Sequence, residues 1–180
     1  MLDLMIVVAI VAILAGMAAP SFGELLRNNR LASASSALQV SLSLARSEAV
    51  KRGADARVTV VANGVAGNWT NGWTVFFDKS ANAHGYVGPT SDDLTATGWT
   101  RLEVVGAPTG PLSFGPSVAG PTYFSYNGQG RMTDLAGESL LSPAAVWFSD
   151  RTSQKYCLTF SSTGRIRTSR VDSSVSCPTA

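Results

Sequence analysis

The chain has 180 residues and a mass of 18.8 kDa, enough for one domain with a sizeable core and at most an appendage. Only 14% of its residues are charged, where an ordinary soluble domain carries about 25%. Its 17 glycines and 8 prolines exclude a collagen-like or low-complexity chain. A net charge of +2 is too small to mark a general polyanion binder, but the charge is unevenly spread. Residues 21–57 carry +3, residues 58–150 carry −4, and residues 151–180 carry +4.

The missing charge is concentrated at the N-terminus. From Leu4 to Gly23 no residue is charged, and Asp3 and Glu24 flank the run. The stretch Leu4–Ala19 is apolar on every helical face, which suits lipid or a bundle core. With Pro20, Ser21 and Phe22 it reaches about the 20 residues that cross a hydrocarbon layer. A signal peptide would place basic residues before the apolar run. Here an acid precedes it, and the first basic residue is Arg27.

Beyond Pro20 the pattern becomes amphipathic without an intervening loop. Leu31, Leu38, Leu42, Ala45 and Ala49 fall at helical spacing, with Arg27, Arg30, Gln39, Arg46, Lys51 and Arg52 between them. Two basic residues and then Gly53 form a helix C-terminal signal. The pattern predicts one helix over about 2–52, kinked near Gly16, Pro20 and Gly23 where proline removes a backbone bond. Residues 1–23 form its transmembrane or filament-core half. Residues 24–180 form a globular head, made of the amphipathic half-helix 24–52 and a β-rich domain.

Short strands are predicted at 57–61, 73–77, 99–105, 145–148, 156–160 and 165–171 from alternating or continuous apolar character between turn signals. Tyr123–Met132 reads as a strand ending in a glycine turn. The fold class is therefore α+β, with a long kinked N-terminal helix packed on an antiparallel β-sheet domain. Trp69, Trp73, Phe76, Phe77, Trp99 and Trp147 lie in or beside these strands, and core packing is their expected role.

An enzyme finds little support. His84, the single histidine, sits in a loop-like stretch, and Asp92-Asp93 reads as a turn cap. There is no GxSxG, HExxH, Walker loop or GxGxxG, and Gly128-Gln-Gly130 reads as a hairpin turn. No cofactor or metal site is expected.

The run Leu4-Met-Ile-Val-Val-Ala-Ile-Val-Ala-Ile-Leu-Ala, with an acid before it and Ala19-Pro20 after it, resembles the N-terminal segment of type IV pilins and pseudopilins. Phe22-x-x-Leu25-x-x-Asn28-x-Arg30-Leu31, Leu44-Ala-Arg-Ser-Glu-Ala-Val-Lys-Arg-Gly53 and Asn68-Trp-Thr-Asn-Gly-Trp-Thr-Val-Phe-Phe-Asp78 resemble the GspH/FimT group of minor pilins. The likeness extends to Phe160-Ser-Ser-Thr-Gly-Arg-Ile-Arg167 and is weakest across about 80–120. It implies a type IV pilin-like fold and a non-enzymatic filament subunit. Such a subunit is held in the bacterial inner membrane by one span, with a periplasmic head, and then joins a cell-surface pilus or a pseudopilus. Its expected partners are the other pilins or pseudopilins of the filament.

The family's basic leader and first mature residues are not in the sequence, which begins inside the motif. The expectation is a truncation or a misplaced start, with the prepilin peptidase acting only on a fuller precursor. Asp3 stands where the family has glutamate. A carboxylate at the apolar end of a packed helix calls for a cation. In pilin-like filaments that cation is the free or N-methylated terminal amine of a neighbouring subunit. Asp3 and Pro20 are thus the candidate assembly residues. A helix-capping role for Asp3 is also open.

In FimT-like members a Gly-Arg-x-Arg motif near the C-terminus is associated with DNA binding in natural transformation, and here it falls on Gly164, Arg165, Ile166 and Arg167. Arginines two residues apart on an extended chain share a face and lie about 6.6–6.8 Å apart, roughly the spacing of successive phosphates. Gly164 would let the backbone come close to a phosphate. Arg170, Lys155 and Arg151 would widen the patch. The other reading is a solvated edge strand whose charges prevent pairing. Nothing resembles a base-reading element, so binding would be non-specific along the phosphate backbone. GspH-type secretion pseudopilins share the helix, so a structural or priming pilin, or a type II secretion pseudopilin without DNA contact, is the alternative. In an exported domain Cys157 and Cys177 are expected to pair, and the bridge would contribute roughly 3 kcal/mol for a loop of about 20 residues.

Overall fold

The structure is a computed structural model and describes residues 2–54, 56–63, 68–78, 99–116, 123–133, 144–149 and 154–178, without the side chains of 2, 14–21, 78, 99, 116 and 144. His84, Asp92, Asp93 and Arg151 lie outside these residues, as does the Trp99 side chain. Among the described residues one helix, α1 (Leu2–Arg52), is followed by nine strands. These are β1 (Arg57–Ala62), β2 (Trp73–Asp78), β3 (Trp99–Val105), β4 (Ser113–Pro116), β5 (Tyr123–Asn127), β6 (Met132–Thr133), β7 (Ala144–Ser149), β8 (Gln154–Phe160) and β9 (Ile166–Asp172).

The helix runs unbroken through Gly16, Pro20 and Gly23. Proline costs one backbone bond but does not end a helix whose neighbouring turns remain bonded. Asp3 stands in the first turn and Lys51 and Arg52 in the last, the placement that the helix dipole favours. From Leu4 to Ile13 the large apolar side chains are exposed, as are Phe22, Leu25 and Leu26. Among the described side chains no helix is long and apolar enough to cross a membrane. The second half of the uncharged run, residues 14–21, lies outside them.

From Leu31 onward the apolar stripe is buried: Leu31, Ala34, Leu38, Leu42, Ala45 and Ala49 are all below 5% exposed. They pack on two antiparallel sheets. One sheet has the order β3-β2-β1-β5-β6 and the other β4-β7-β8-β9. Every pairing among the described residues is antiparallel. Aromatic rings join the two. Phe124 of β5 lies 4.7 Å from Phe160 of β8, and Trp69 lies 4.9 Å from Phe124 and 5.7 Å from Phe114 of β4. A cluster of this kind buries 150–250 Å² per ring and closes the core.

The segment Asn68–Trp73 shows why its residues are spaced as they are. Asn68 caps a 3-10 turn by accepting from the Thr70 amide, and Gly72 takes φ +86° where a Cβ would lie 2.1 Å from the Val105 carbonyl oxygen. The turn thereby delivers Trp69 and Trp73 to the core, both fully buried. The Trp73 indole donates to Ser41 Oγ at 2.9 Å, and Ser41 donates to Glu103 at 2.6 Å, which pins α1 to β2 and β3. Phe77 is half-buried under the Arg52 guanidinium, 4.2 Å from its ring centre.

Candidate nucleic-acid interface

β8 and β9 form a hairpin at the edge of the second sheet, in the register Phe160↔Ile166, Thr159↔Arg167, Cys157↔Ser169, Tyr156↔Arg170 and Lys155↔Val171. Its turn is closed by Gly164 N–H donating to the Ser161 carbonyl at 2.9 Å. The Arg165 amide donates to Ser161 Oγ at 3.2 Å. Gly164 has φ +78°, and a Cβ there would lie 2.2 Å from the Gly130 carbonyl oxygen. Glycine is therefore required by backbone conformation and by close packing on the β5–β6 turn, without any ligand.

The turn is held from α1. Arg46 donates from one terminal nitrogen to the Gly164 carbonyl at 3.2 Å and from the other to the Thr163 carbonyl at 3.1 Å. Thr168 of β9 donates to Gln39 of α1 at 2.9 Å. The β5–β6 turn packs on the same stretch of helix. A Cβ on Gly130 would meet Val50 and Arg46 at 3.0 and 3.1 Å, and one on Gly128 would meet the Gly53 carbonyl oxygen. Helical periodicity gave no sign of this role for Arg46, because its partners are 117 and 118 residues away.

The edge arginines fall into two groups. Arg165, one residue before β9, and Arg167, within it, are both exposed. Ile166 and Thr168 face α1, so Arg170, which stands opposite Tyr156, lies on the helix side. Lys155 is on the outer face with Arg167 but about 13 Å further along the strand. Its ammonium donates to the Ser173 carbonyl at 3.2 Å and lies 5.6 Å from the Trp147 ring centre. The hairpin thus brings Arg165 and Arg167 together and separates them from Arg170 and Lys155. Among the described residues none of Arg165, Arg167 and Arg170 meets a carboxylate.

Between α1 and the β8–β9 turn runs an open groove of about 610 Å³. Arg46, Lys51 and Arg165 line it, and no acidic or aromatic side chain does so among the described residues. The nearest acid on the helix, Glu48, is occupied by Arg52 at 3.0 Å and Lys51 at 3.5 Å. The Arg52 hydrogen bond, with help from the Lys51 charge, holds its carboxyl below the usual glutamate value. Beneath the turn, Tyr126 is fully buried and its hydroxyl has no partner among the described residues. Burial pushes its phenol well up, against the opposing charge of Arg46.

On the outer face, Cys157 of β8 and Cys177 are joined by a disulfide and pack with Ala145, Trp147 and Val171. The expected pairing is present, and it fastens the tail to the strand beside Lys155.

Comparison with known proteins agrees with this architecture. Residues 34–164 match the family model described as Type II transport protein GspH, a span that ends one residue before Arg165. The type IV minor pilin FimU of Pseudomonas aeruginosa strain PAO1 superposes with a TM-score of 0.55 at 18% identity, covering 78% of this chain and 88% of that one. At that identity the likeness concerns the fold. No curated protein matches. A family match over more than two thirds of the chain, on a long helix packed against antiparallel sheets, places the protein in the GspH family, among type IV pilin-like minor pilins and pseudopilins.

Proposed function

We propose that this pilin-like subunit binds DNA non-specifically at the β8–β9 edge, as a minor pilin that takes up extracellular DNA for natural transformation. One observation carries the reading. Arg165, one residue before β9, and Arg167, within it, both stand exposed at the sheet edge, with no carboxylate on them among the described residues. An edge that only prevented pairing would be served as well by alternating signs. Arg170 and Lys155 add positive field from the other face and from further along the strand, and Gly164 shapes the turn. Contacts of this kind go to phosphates, so sequence preference is slight and affinity is about micromolar or weaker at physiological salt.

The rest of the chain serves assembly. Residues 1–23 form the membrane and filament-core half of the helix, and residues 24–180 the periplasmic head. Asp3 meets the terminal amine of a neighbouring subunit, and Pro20 lies near the point where the helix leaves the core. The prepilin peptidase processes the full precursor. A second reading, a priming pilin or type II secretion pseudopilin without DNA contact, is favoured by the description of the matching family and by a match that stops at Gly164.

The test uses the full chain in detergent micelles. Replacing Arg165 and Arg167 by alanine weakens DNA binding with the fold unchanged, and lowers the log–log salt slope by roughly 0.7–0.9 per contact. In cells uptake falls while pili persist. Unchanged DNA retention in the folded double variant moves the assignment to the structural reading. Loss of pili assigns the arginines to subunit packing.

A further inference from the structure

We infer that the groove between α1 and the β8–β9 turn is a site for a single strand of nucleic acid, bound by its phosphodiester backbone, with α1 forming a second wall opposite Arg165. This rests on the DNA reading above and extends it from an arginine edge to a two-walled channel.

The groove has the right sign and size. Three of its lining residues are cations and none is an acid among the described residues. Arg46 matters most. Each of its terminal nitrogens donates one bond to a neutral carbonyl, which fixes the guanidinium in place without cancelling its charge. A half-buried cation held this way attracts an anion more strongly than a mobile surface lysine, because less water screens it. Lys51, whose ammonium also lies 3.5 Å from Glu48, and Arg165 place charge on the two rims.

The helix wall can also donate hydrogen bonds. Gln39 uses its side-chain oxygen to accept from Thr168, which leaves its amide NH2 free to donate at the groove. Ser43 and Ser47 each donate to a carbonyl within one turn, at Gln39 and Leu44. Those carbonyls retain their helical bonds, so either hydroxyl can rotate onto a phosphate oxygen at little cost.

A volume of about 610 Å³ lies in the range of sites that enclose a small ligand or a short length of chain. A duplex, whose major groove alone is about 12 Å wide, is too broad to enter and meets only Arg165 at the rim and Arg167 outside the groove. Among the described residues no aromatic lines the groove, so bases are not stacked and remain directed outward. The site therefore prefers single strands over duplex and is indifferent to sequence.

The experiment measures fluorescence anisotropy of a labelled mixed-sequence 12-mer, single-stranded and as duplex, with the full chain in detergent micelles. Ser47 is exposed, and tryptophan has a similar helix propensity, so Ser47→Trp fills the groove without removing a charge. It should weaken single-strand binding about tenfold or more and leave duplex binding within about twofold, given contacts at the rim alone. Lys51→Gln should lower the single-strand salt slope by about 0.7 and leave the duplex slope unchanged. The Arg165/Arg167 double variant should weaken both. Circular dichroism of each variant checks the helix. If Ser47→Trp keeps its helix and binds the single strand as tightly as before, the groove is not the path, and binding at the arginine edge alone stands. If the unaltered chain binds neither probe, the DNA reading fails, and the groove proposal with it.

Discussion

Gly164→Ala is the sharpest test of how the β8–β9 edge is held. The new side chain is strained in two ways. At φ +78° a residue with a Cβ is in the left-handed region, which costs about 1–2 kcal/mol. The Cβ also falls 2.2 Å from the Gly130 carbonyl oxygen, 3.2 Å from the Tyr126 ring and 3.4 Å from Arg46. Backbone cannot swing aside as a side-chain end can, so one turn must move off the other, adding a further 1–3 kcal/mol. The expected loss is about 3 kcal/mol, or roughly 6–12 °C in Tm for a domain of this size. Gly53→Ala is the control. Its φ is +93°, but nothing lies within 4 Å of the added Cβ, so only the conformational cost of about 1 kcal/mol applies. Gly23→Ala, inside the helix with no neighbour within 4 Å, should stabilise by up to about 1 kcal/mol. Thermal unfolding in one detergent, followed by circular dichroism, ranks the three. Arg46→Ala breaks the same contact from the helix side, so its effect and that of Gly164→Ala should be less than additive. If Gly164→Ala melts with Gly53→Ala, the two turns do not pack as described and the clamp is not what presents Arg165.

Reducing the Cys157–Cys177 bridge, or replacing both cysteines by alanine, should cost about 3 kcal/mol from the 20-residue separation it closes, and unreduced folded protein should resist thiol labelling. Tyr126→Phe removes a buried hydroxyl that has no partner among the described residues, and should raise stability by about 1 kcal/mol; a comparable loss would mean that the hydroxyl is bonded. Glu48 titrates below its usual value in the folded state, so its contribution is complete above the unfolded-state value and fades as pH falls through the lower folded one. Thermal scans from pH 7 to pH 3 should therefore show a small acid-side loss that Glu48→Gln lacks, and equal profiles would remove the Arg52–Lys51 clasp as its cause.

The sequence alone determined what depends on local repetition. The stripe Leu31, Leu38, Leu42, Ala45 and Ala49 marks one helix face at fixed spacing, and all five residues are buried. The short apolar runs are strands within a residue or two of their expected ends, and Asn127–Gly130 is the turn its residue types require. The motifs around Leu44–Gly53 and Asn68–Asp78 pointed to the family that the comparison then returned.

Tertiary structure alone decided whatever joins distant segments. Strand spacing does not record which strands share a sheet, so the division into two sheets, the rings joining them and the edge position of β9 follow from packing. The same limit applied at the candidate site. Alternation along the chain does not record which face meets α1; only the register with β8 put Arg170 on the helix side and Lys155 against Trp147. Gly164 reads in sequence as a place for a close backbone approach; only the structure shows that a Cβ there would lie 2.2 Å from the Gly130 carbonyl oxygen. Arg46, the cation that fixes the turn, looks like any polar helix position, because a side chain that acts across more than a hundred residues of sequence leaves no periodic trace.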